Sequence, residues 1–230
     1  MKSVLITGAN RGIGLEHARR YASRGVRVYA AARTPADADD LQRLARESEG
    51  GVSILHYDAE SVDSSDQLKT QLGDAPLDLL FANAGTGGPY TRLGQIDAKE
   101  VLNTFRINAL APLMLAQALR ENVVRSERKL IAFQSSLMGS IADNGSGGVY
   151  AYRISKAALN MIARNVSRDL ARDGVIAVAL HPGWVRTRMG GAGASVRVED
   201  CVTGQQKVLD GLTPDDNGRF FNYDGRELPW

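Results

Sequence analysis

Cysteine is nearly absent from this chain of 230 residues, where Cys201 stands alone. A single thiol excludes an intrachain disulfide framework and fits a reducing compartment. No motif surrounds it, so it reads as an ordinary small side chain rather than a nucleophile. Aromatic residues make up only 6%, and neither charge sign dominates: 28 Lys and Arg face 26 Asp and Glu, a formal charge of +2. That balance gives no electrostatic basis for a nucleic-acid partner or an acidic membrane surface. No apolar run reaches the length of a bilayer span, and Met1 runs almost at once into Val4-Leu5-Ile6 and a glycine loop, which leaves no space for a secretory leader. A soluble cytoplasmic protein is the expectation. The histidines His17, His56 and His181 lack metal-ligand spacing, so no metal is expected and each reads as a neutral, hydrogen-bonded side chain.

What the chain does contain is apolar strand-length runs separated by longer segments of helical period. With 43% hydrophobic residues it can build one sizeable core, and residues 1–230 are read as a single domain. The alternation predicts an α/β fold: one doubly wound Rossmann domain, a parallel sheet of about seven strands with helices on both faces. The strand candidates are Ser3 to Thr7, Val26 to Ala32, Ser53 to Asp58, Leu77 to Ala82, Lys129 to Ser135, Ile176 to His181 and Phe220 to Tyr223. Gly12 to Arg24 has helical period and is followed by Gly25, where a helix would end in a left-handed turn; Tyr150 to Arg172 is closed in the same way by Gly174. A third helical stretch, about Val101 to Val124, contains Pro112, which should bend or restart it. Glycine-rich segments at Thr86 to Pro89, Asp143 to Gly148 and Met189 to Ser195 are expected to be mobile loops.

Thr7-Gly8-Ala9-Asn10-Arg11-Gly12-Ile13-Gly14 directly follows the first strand and opens the first helix. Glycines there let the backbone turn tightly and approach a pyrophosphate, and the helix N-terminus offers free N–H groups and a positive dipole end. Glycine also serves plain turns and caps, so position between strand and helix strengthens the nucleotide assignment. The second strand ends Ala30-Ala31-Ala32-Arg33, and no carboxylate follows in sequence until Asp37. An acidic residue at that point would bind a ribose 2′-hydroxyl; a permanently charged guanidinium at Arg33, with Arg11 in the glycine loop, suits a 2′-phosphate instead. NADP(H) is the expected cofactor, the competing reading being two solvated surface arginines.

Tyr152 and Lys156 lie four residues apart in a strongly helical segment, hence one turn apart on one face. An ammonium beside a phenol should lower the phenol's pKa and let it exchange a proton with a substrate oxygen. Spacing alone equally allows an exposed aromatic beside a surface lysine. Six ordered motifs supply the context: Thr7-Gly8-x-x-x-Gly12-x-Gly14, Asn83-Ala84-Gly85 after the fourth strand, Asn108 in a helix, Ser136 at the end of the fifth strand, Tyr152-x-x-x-Lys156, and Pro182-Gly183 after the sixth strand. In motif content and order, over nearly its whole length, the chain resembles the short-chain dehydrogenase/reductase family. The tail Phe220 to Trp230 and His181-Pro182-Gly183-Trp184-Val185 resemble its sniffer and C-factor carbonyl-reductase branch.

The resemblance implies an NADP(H)-dependent oxidoreductase that reduces a ketone, aldehyde or quinone, or oxidises the alcohol. It implies that Tyr152 is the general acid, that Lys156 holds the nicotinamide ribose and tunes that tyrosine, that Ser136 hydrogen-bonds the substrate oxygen, and that Asn108 holds a water linking Lys156 to solvent. Ser136 rather than Ser135 precedes x-x-Gly139, and Ser135 should face the other side of the strand. Implied cofactor contacts are Gly8, Asn10, Arg11, Gly12, Ile13 and Gly14 in the loop, Arg33, Asp58 near the adenine, Asn83, Ala84 and Gly85 along the ribose, Tyr152 and Lys156, and Pro182, Gly183, Val185 and Thr187 around the carboxamide. Asp58 could equally cap the next helix, and Thr187 could simply satisfy loop backbone. The pocket walls are expected from Gly85 to Arg92, Leu137 to Val149 and Trp184 to Ala194, with apolar residues that suit a hydrophobic carbonyl compound. Met189 to Ser195 stands where relatives often carry a helical lid, which should here be short or disordered. The resemblance implies a homodimer through the two long helices, a monomer being the alternative. A regulatory or signalling protein that binds NADP(H) with little turnover is the alternative from another class.

Overall fold

A computed structural model describes residues 1–230. Seven strands, β1 (Ser3–Thr7), β2 (Arg27–Ala32), β3 (Val52–His56), β4 (Leu79–Ala82), β5 (Leu130–Gln134), β6 (Ile176–His181) and β7 (Phe220–Asn222), form one parallel sheet in the order β3-β2-β1-β4-β5-β6-β7. Each expected strand is present with its edges within two residues of the expected ones; β4 begins at Leu79 rather than Leu77, while β3 begins one residue early, at Val52. Helices cover both faces, so strand residues of both parities are buried and the strands read as apolar runs rather than alternating ones. Val4, Ile6, Val28, Ala30, Leu130 and Val178 face one core, while Leu5, Leu80, Ile131, Phe133 and Ala177 face the other.

Helix α1 (Gly12–Ser23) gives way to Gly25 at φ +72°, and α7 (Tyr150–Asp169) leads through a short 3₁₀ turn to Gly174 at φ +76°, the left-handed stops read from the sequence. Helix α2 (Asp39–Glu47) connects β2 to the edge strand β3, and α3 (Ser64–Leu72) connects β3 to β4. The long stretch around Pro112 is three helices: α4 (Ala98–Phe105), α5 (Ala111–Ala118) and α6 (Arg120–Val124). Asp97 starts α4 by accepting the Lys99 N–H at 2.8 Å. A π turn over Arg106–Leu110 joins α4 to α5, with the Ala111 N–H reaching back to the Arg106 carbonyl. Pro112 explains it: in a regular helix its ring would collide with the carbonyl of Asn108, four residues earlier, and the wider turn relieves that crowding. Helix α4 lies along α7, and α5 lies against α3.

A final helix, α8 (Val198–Gly211), was not singled out in the sequence, and it packs on α1. It buries Cys201, Val202, Gln205, Gln206 and Leu209. Burial pushes the Cys201 thiol up to about 12, which makes it the inert side chain expected. The strand order reverses between β1 and β4, and the loops leaving the carboxyl ends of β1, β4, β5 and β6 collect above that point, where open α/β sheets bind ligands.

Candidate active site

The loop from β1 to α1 is held in place by its neighbours. Gly8 and Gly12 take φ +65° and +54°, conformations that strain any other residue type. A Cβ on Gly14 would lie 2.4 Å from the Gly8 carbonyl oxygen and 2.8 Å from Asn83 Nδ2, so the missing side chain is what lets α1 close on the loop. Thr7 Oγ1 accepts the N–H groups of Asn83 and Ala84 at 3.0 Å, and Asn83 Nδ2 donates to the Thr7 carbonyl at 2.9 Å. Asn83 thus ties the end of β4 to the end of β1. Arg11 precedes α1 in extended conformation, Asn10 and Arg11 are exposed, and the first turn of α1 carries no acidic residue. The N–H groups of that turn are left to an anion.

Arg33 stands exposed at the end of β2, but it is paired: its guanidinium meets Glu60 at 2.9 Å. The absence of a carboxylate in the sequence before Asp37 therefore does not hold in space. Asp58 creates the juxtaposition. Its Oδ1 accepts the Glu60 N–H at 3.0 Å, and its own N–H bonds Ser64 Oγ at 2.7 Å, which shapes the β3 to α3 turn. The residue before α3 is Asp63, so Asp58 is not its cap.

Tyr152 and Lys156 share one face of α7, as their spacing requires, with the ammonium 5.7 Å from the phenol ring centre. Lys156 is buried, and its Nζ donates to the Gln134 carbonyl at 2.7 Å. The expected lowering of the Tyr152 pKa is not what this arrangement gives. Burial pushes the phenol upward, Ser136 pulls it partly back, and Tyr90 adds a smaller upward push. Burial also brings Lys156 down to about 7, which weakens the charge that was to act on the phenol. Tyr152 is consequently held protonated.

Ser136 accepts the Met138 N–H at 3.2 Å, whereas Ser135 donates to Asn160 Oδ1 at 2.5 Å, so the two serines serve different neighbours. A Cβ on Gly139 would sit 2.7 Å from the Lys156 carbonyl carbon, which explains why the turn after Ser136 can rest on α7. Asn108 is fully buried in the π turn. Its Oδ1 accepts the Thr86 N–H at 2.8 Å, and its Nδ2 donates to the Thr86 carbonyl at 2.8 Å and to Ser155 Oγ at 3.0 Å. Gly85 sits between these groups: a Cβ there would be 3.0 Å from Asn108 Oδ1 and 3.8 Å from Lys156 Nζ.

Beyond β6, Pro182 precedes Gly183, whose φ of +77° sets it against the Tyr223 ring. The following loop is ordered by its own bonds. Val185 pairs with Val196, Trp184 Nε1 donates to the Gly190 carbonyl at 2.9 Å, and Arg186 Nε donates to the Ala194 carbonyl at 2.7 Å. Thr187 Oγ1 accepts the Gly190 N–H at 3.1 Å, and its methyl lies 3.4 Å from where a Gly12 Cβ would be, so this loop reaches the glycine loop. Tyr90, Trp184 and Met189 stand exposed on the loops that follow β4 and β6. Ser140 Oγ and the Ala142 N–H both donate to the Trp230 carbonyl, and the Trp230 ring stacks on Phe220 at 5.4 Å, so the tail braces the loop after Ser136. Glu60 beside Arg33 and Gln134 beneath Lys156 belong to no sequence motif; each is brought to its partner by the fold.

The chain matches the family described as short chain dehydrogenase over residues 2–195. It is 46% identical over 161 residues to the C-signal protein of Myxococcus xanthus, an alignment that covers 70% of this chain and 97% of that one. Among solved structures it resembles the carbonyl reductase Sniffer of D. melanogaster, with a TM-score of 0.93 and 34% identity over 100% of both chains. It likewise resembles an NADPH-bound carbonyl reductase from chicken fatty liver, with a TM-score of 0.94 and 33% identity over 100% of this chain and 94% of that one.

Proposed function

The chain belongs to the short-chain dehydrogenase/reductase family, and from that premise we propose that it reduces ketone, aldehyde or quinone carbonyls with NADPH, or oxidises the corresponding alcohols with NADP+. The observation that carries this is the convergence of Tyr152, Lys156, Ser136 and Asn108 at the carboxyl edge of the sheet, beside a glycine loop that Gly8 and Gly12 turn in left-handed backbone and that Gly14 lets pack closely on α1.

The residues fit the dinucleotide. Gly8, Asn10, Gly12, Ile13 and Gly14 offer the pyrophosphate a close backbone and a free helix N-terminus. Arg33, released from Glu60, and Arg11 would take the 2′-phosphate. Asp58 would meet the adenine side, Asn83, Ala84, Gly85 and Lys156 the nicotinamide ribose, and Pro182, Gly183, Val185 and Thr187 the carboxamide. When bound, NADPH supplies the hydride that reduces the carbonyl carbon.

In this scheme Ser136 donates a hydrogen bond to the substrate oxygen, where negative charge grows as the carbon is reduced. Tyr152 gives that oxygen its proton; its raised pKa keeps the proton in place until the substrate becomes the stronger base. Lys156 would hold the ribose, and its ammonium stands 5.7 Å from the phenol ring centre. Both amide hydrogens of the Asn108 side chain are already in use, so a relay water would be held by its main-chain carbonyl. Pro112, four residues on, has no N–H to occupy that carbonyl. The exposed Tyr90, Trp184 and Met189 would offer apolar walls suited to a bulky, hydrophobic carbonyl compound.

Tyr152→Phe is the test. NADPH titration should give a dissociation constant within about twofold of the parent, while NADPH oxidation on a panel of ketones, aldehydes and quinones falls by about 100-fold or more. Undiminished turnover in the variant would refute the assignment. The identity to the C-signal protein favours one second reading, a cofactor-binding signalling protein. Tight NADPH binding with no turnover across the panel would select it. Leu102, Phe105, Leu113, Ile154 and Met161 project from α4, α5 and α7, and we place a homodimer contact there, to be tested by light-scattering mass. We assign the chain to the cytoplasm, in keeping with its single, buried thiol.

A further inference from the structure

Three buried polar residues form a chain that no motif accounts for. His17 on α1 bonds Gln205 of α8 at 3.0 Å, and Gln205 Nε2 donates to Gln134 Oε1 at 3.0 Å. His17 and Gln205 are fully buried, and Gln134 is 7% exposed. The Gln205 carbonyl oxygen can only accept, so the His17 ring carries its hydrogen on Nε2. The His17 ring is wedged against Phe81 at 4.7 Å and Tyr21 at 5.9 Å.

The chain ends on the residue that holds the catalytic amine. Gln134 is the last residue of β5, and β4 stops at Ala82, opposite Phe133. Ser135 turns its N–H toward β6, to the Leu180 carbonyl, so the Gln134 carbonyl faces the side where β4 has ended. With no strand neighbour there, that carbonyl takes the Lys156 ammonium at 2.7 Å. The ladder leaves only this carbonyl without a strand partner, and the buried Gln134 side chain, bonded to Gln205, adds a hold on the residue that presents it.

We propose that Gln134 is a positioning residue for Lys156, and that Gln205 and His17 fix it in place, linking the helix of the glycine loop to the catalytic amine. This rests on the role of Lys156 given above. The groups facing Lys156 are Tyr152 on its own helix, the Gln134 carbonyl on β5, and Gly85 with the uncharged Asn108 behind it; no carboxylate influences it. Around His17 stand Glu16 and Arg20 of α1 and Gln205 of α8.

The test is trace acetylation with acetic anhydride across pH, read by peptide mass spectrometry, which reports the titration midpoint of Lys156 without cofactor or turnover. The parent should titrate near about 7. In Gln205→Met the anchor is lost, the carbonyl supports the ammonium less well, and the midpoint should fall by about half a unit or more, a threefold change in the protonation equilibrium. His17→Phe keeps the ring's packing and should shift it in the same direction by less. The alkaline limb of kcat for carbonyl reduction should move to lower pH in step. Val202→Ala thins the same helix's core contact without touching the chain, and should lower the melting temperature with the Lys156 midpoint unmoved. Midpoints unchanged in both chain variants, with only melting temperatures reduced, would overturn the proposal and leave the role of Lys156 standing. A parent enzyme that turns over no carbonyl would defeat the catalytic role, while the acetylation midpoints would still report the anchoring.

Discussion

Arg33 and Glu60 allow the cofactor choice to be tested quantitatively. In the structure the guanidinium is 66% exposed and bonded to a carboxylate that is 43% exposed, so a 2′-phosphate must displace Glu60 to reach it. An exposed ion pair of this kind is worth about 1 kcal/mol or less. A forked, charge-assisted contact between guanidinium and phosphate is worth about 1.5–3 kcal/mol. Set against the full 1 kcal/mol, the surplus is about 0.5–2 kcal/mol, or about 2- to 30-fold in affinity. Arg33→Asp removes this surplus and sets a second negative charge beside Glu60, so NADPH binding should weaken by about 30-fold or more while NADH binding changes by less than about threefold. Glu60→Gln should act the other way: freed from its competitor, Arg33 should bind NADPH about two- to fivefold more tightly, with NADH unaffected. Fluorescence titration of both dinucleotides at fixed ionic strength reads all four numbers. If Arg33→Asp weakened both cofactors equally, or Glu60→Gln weakened NADPH, the guanidinium would not be reading the phosphate.

Other outcomes follow from burial and backbone. Burial holds His17 and His181 at about 4, against 6.5 in the unfolded chain. The unfolded chain therefore binds more protons between those values, so stability present above pH 6.5 is lost as the pH falls toward 4, by about 3 kcal/mol for His17. His17→Phe should roughly halve the dependence of the urea midpoint on pH in that window, and an unaltered dependence would contradict the assignment. Val149, a β-branched residue at φ +49°, precedes α7 with its N–H on the Thr91 carbonyl at 2.9 Å. Relief of about 1–3 kcal/mol of strain, less about 1 kcal/mol for glycine's added freedom, makes Val149→Gly stabilising by about 1 kcal/mol, or about 2–4 °C in melting temperature. A drop on calorimetry would show that the conformation is not strained.

The parts of this protein that could be read from sequence are those where one local rule acts alone. Strands buried on both faces must be apolar along their length, so all seven appeared at nearly their true edges. Gly25 and Gly174 marked helix ends because left-handed backbone favours glycine. Pro112 announced a disturbance, but the form it took, a wider turn that buries Asn108, depends on what α4 and α5 pack against. Helix α8 carries Gly204, Gln205 and Gln206 at its centre, which interrupt the apolar period that marks a packed helix. In the fold the two glutamines are buried, and Gly204 lets the Tyr223 backbone approach. The four catalytic candidates came from motif order; Glu60 and Gln134 came only from the fold, since partners distant in sequence leave no local pattern.

The π turn has a geometric effect beyond accommodating Pro112. A five-residue turn is equivalent to one residue inserted into an α-helix, and each residue turns the helix by about 100°. The segments on either side are therefore out of phase by about a quarter turn, which lets one nearly continuous rod present its first half to α7 and its second half to α3. Asn108 sits at the phase slip itself. Deleting a single residue from Arg106–Leu110 would restore regular winding, and in doing so would rotate one of the two packing faces, together with Asn108, out of alignment with its partner.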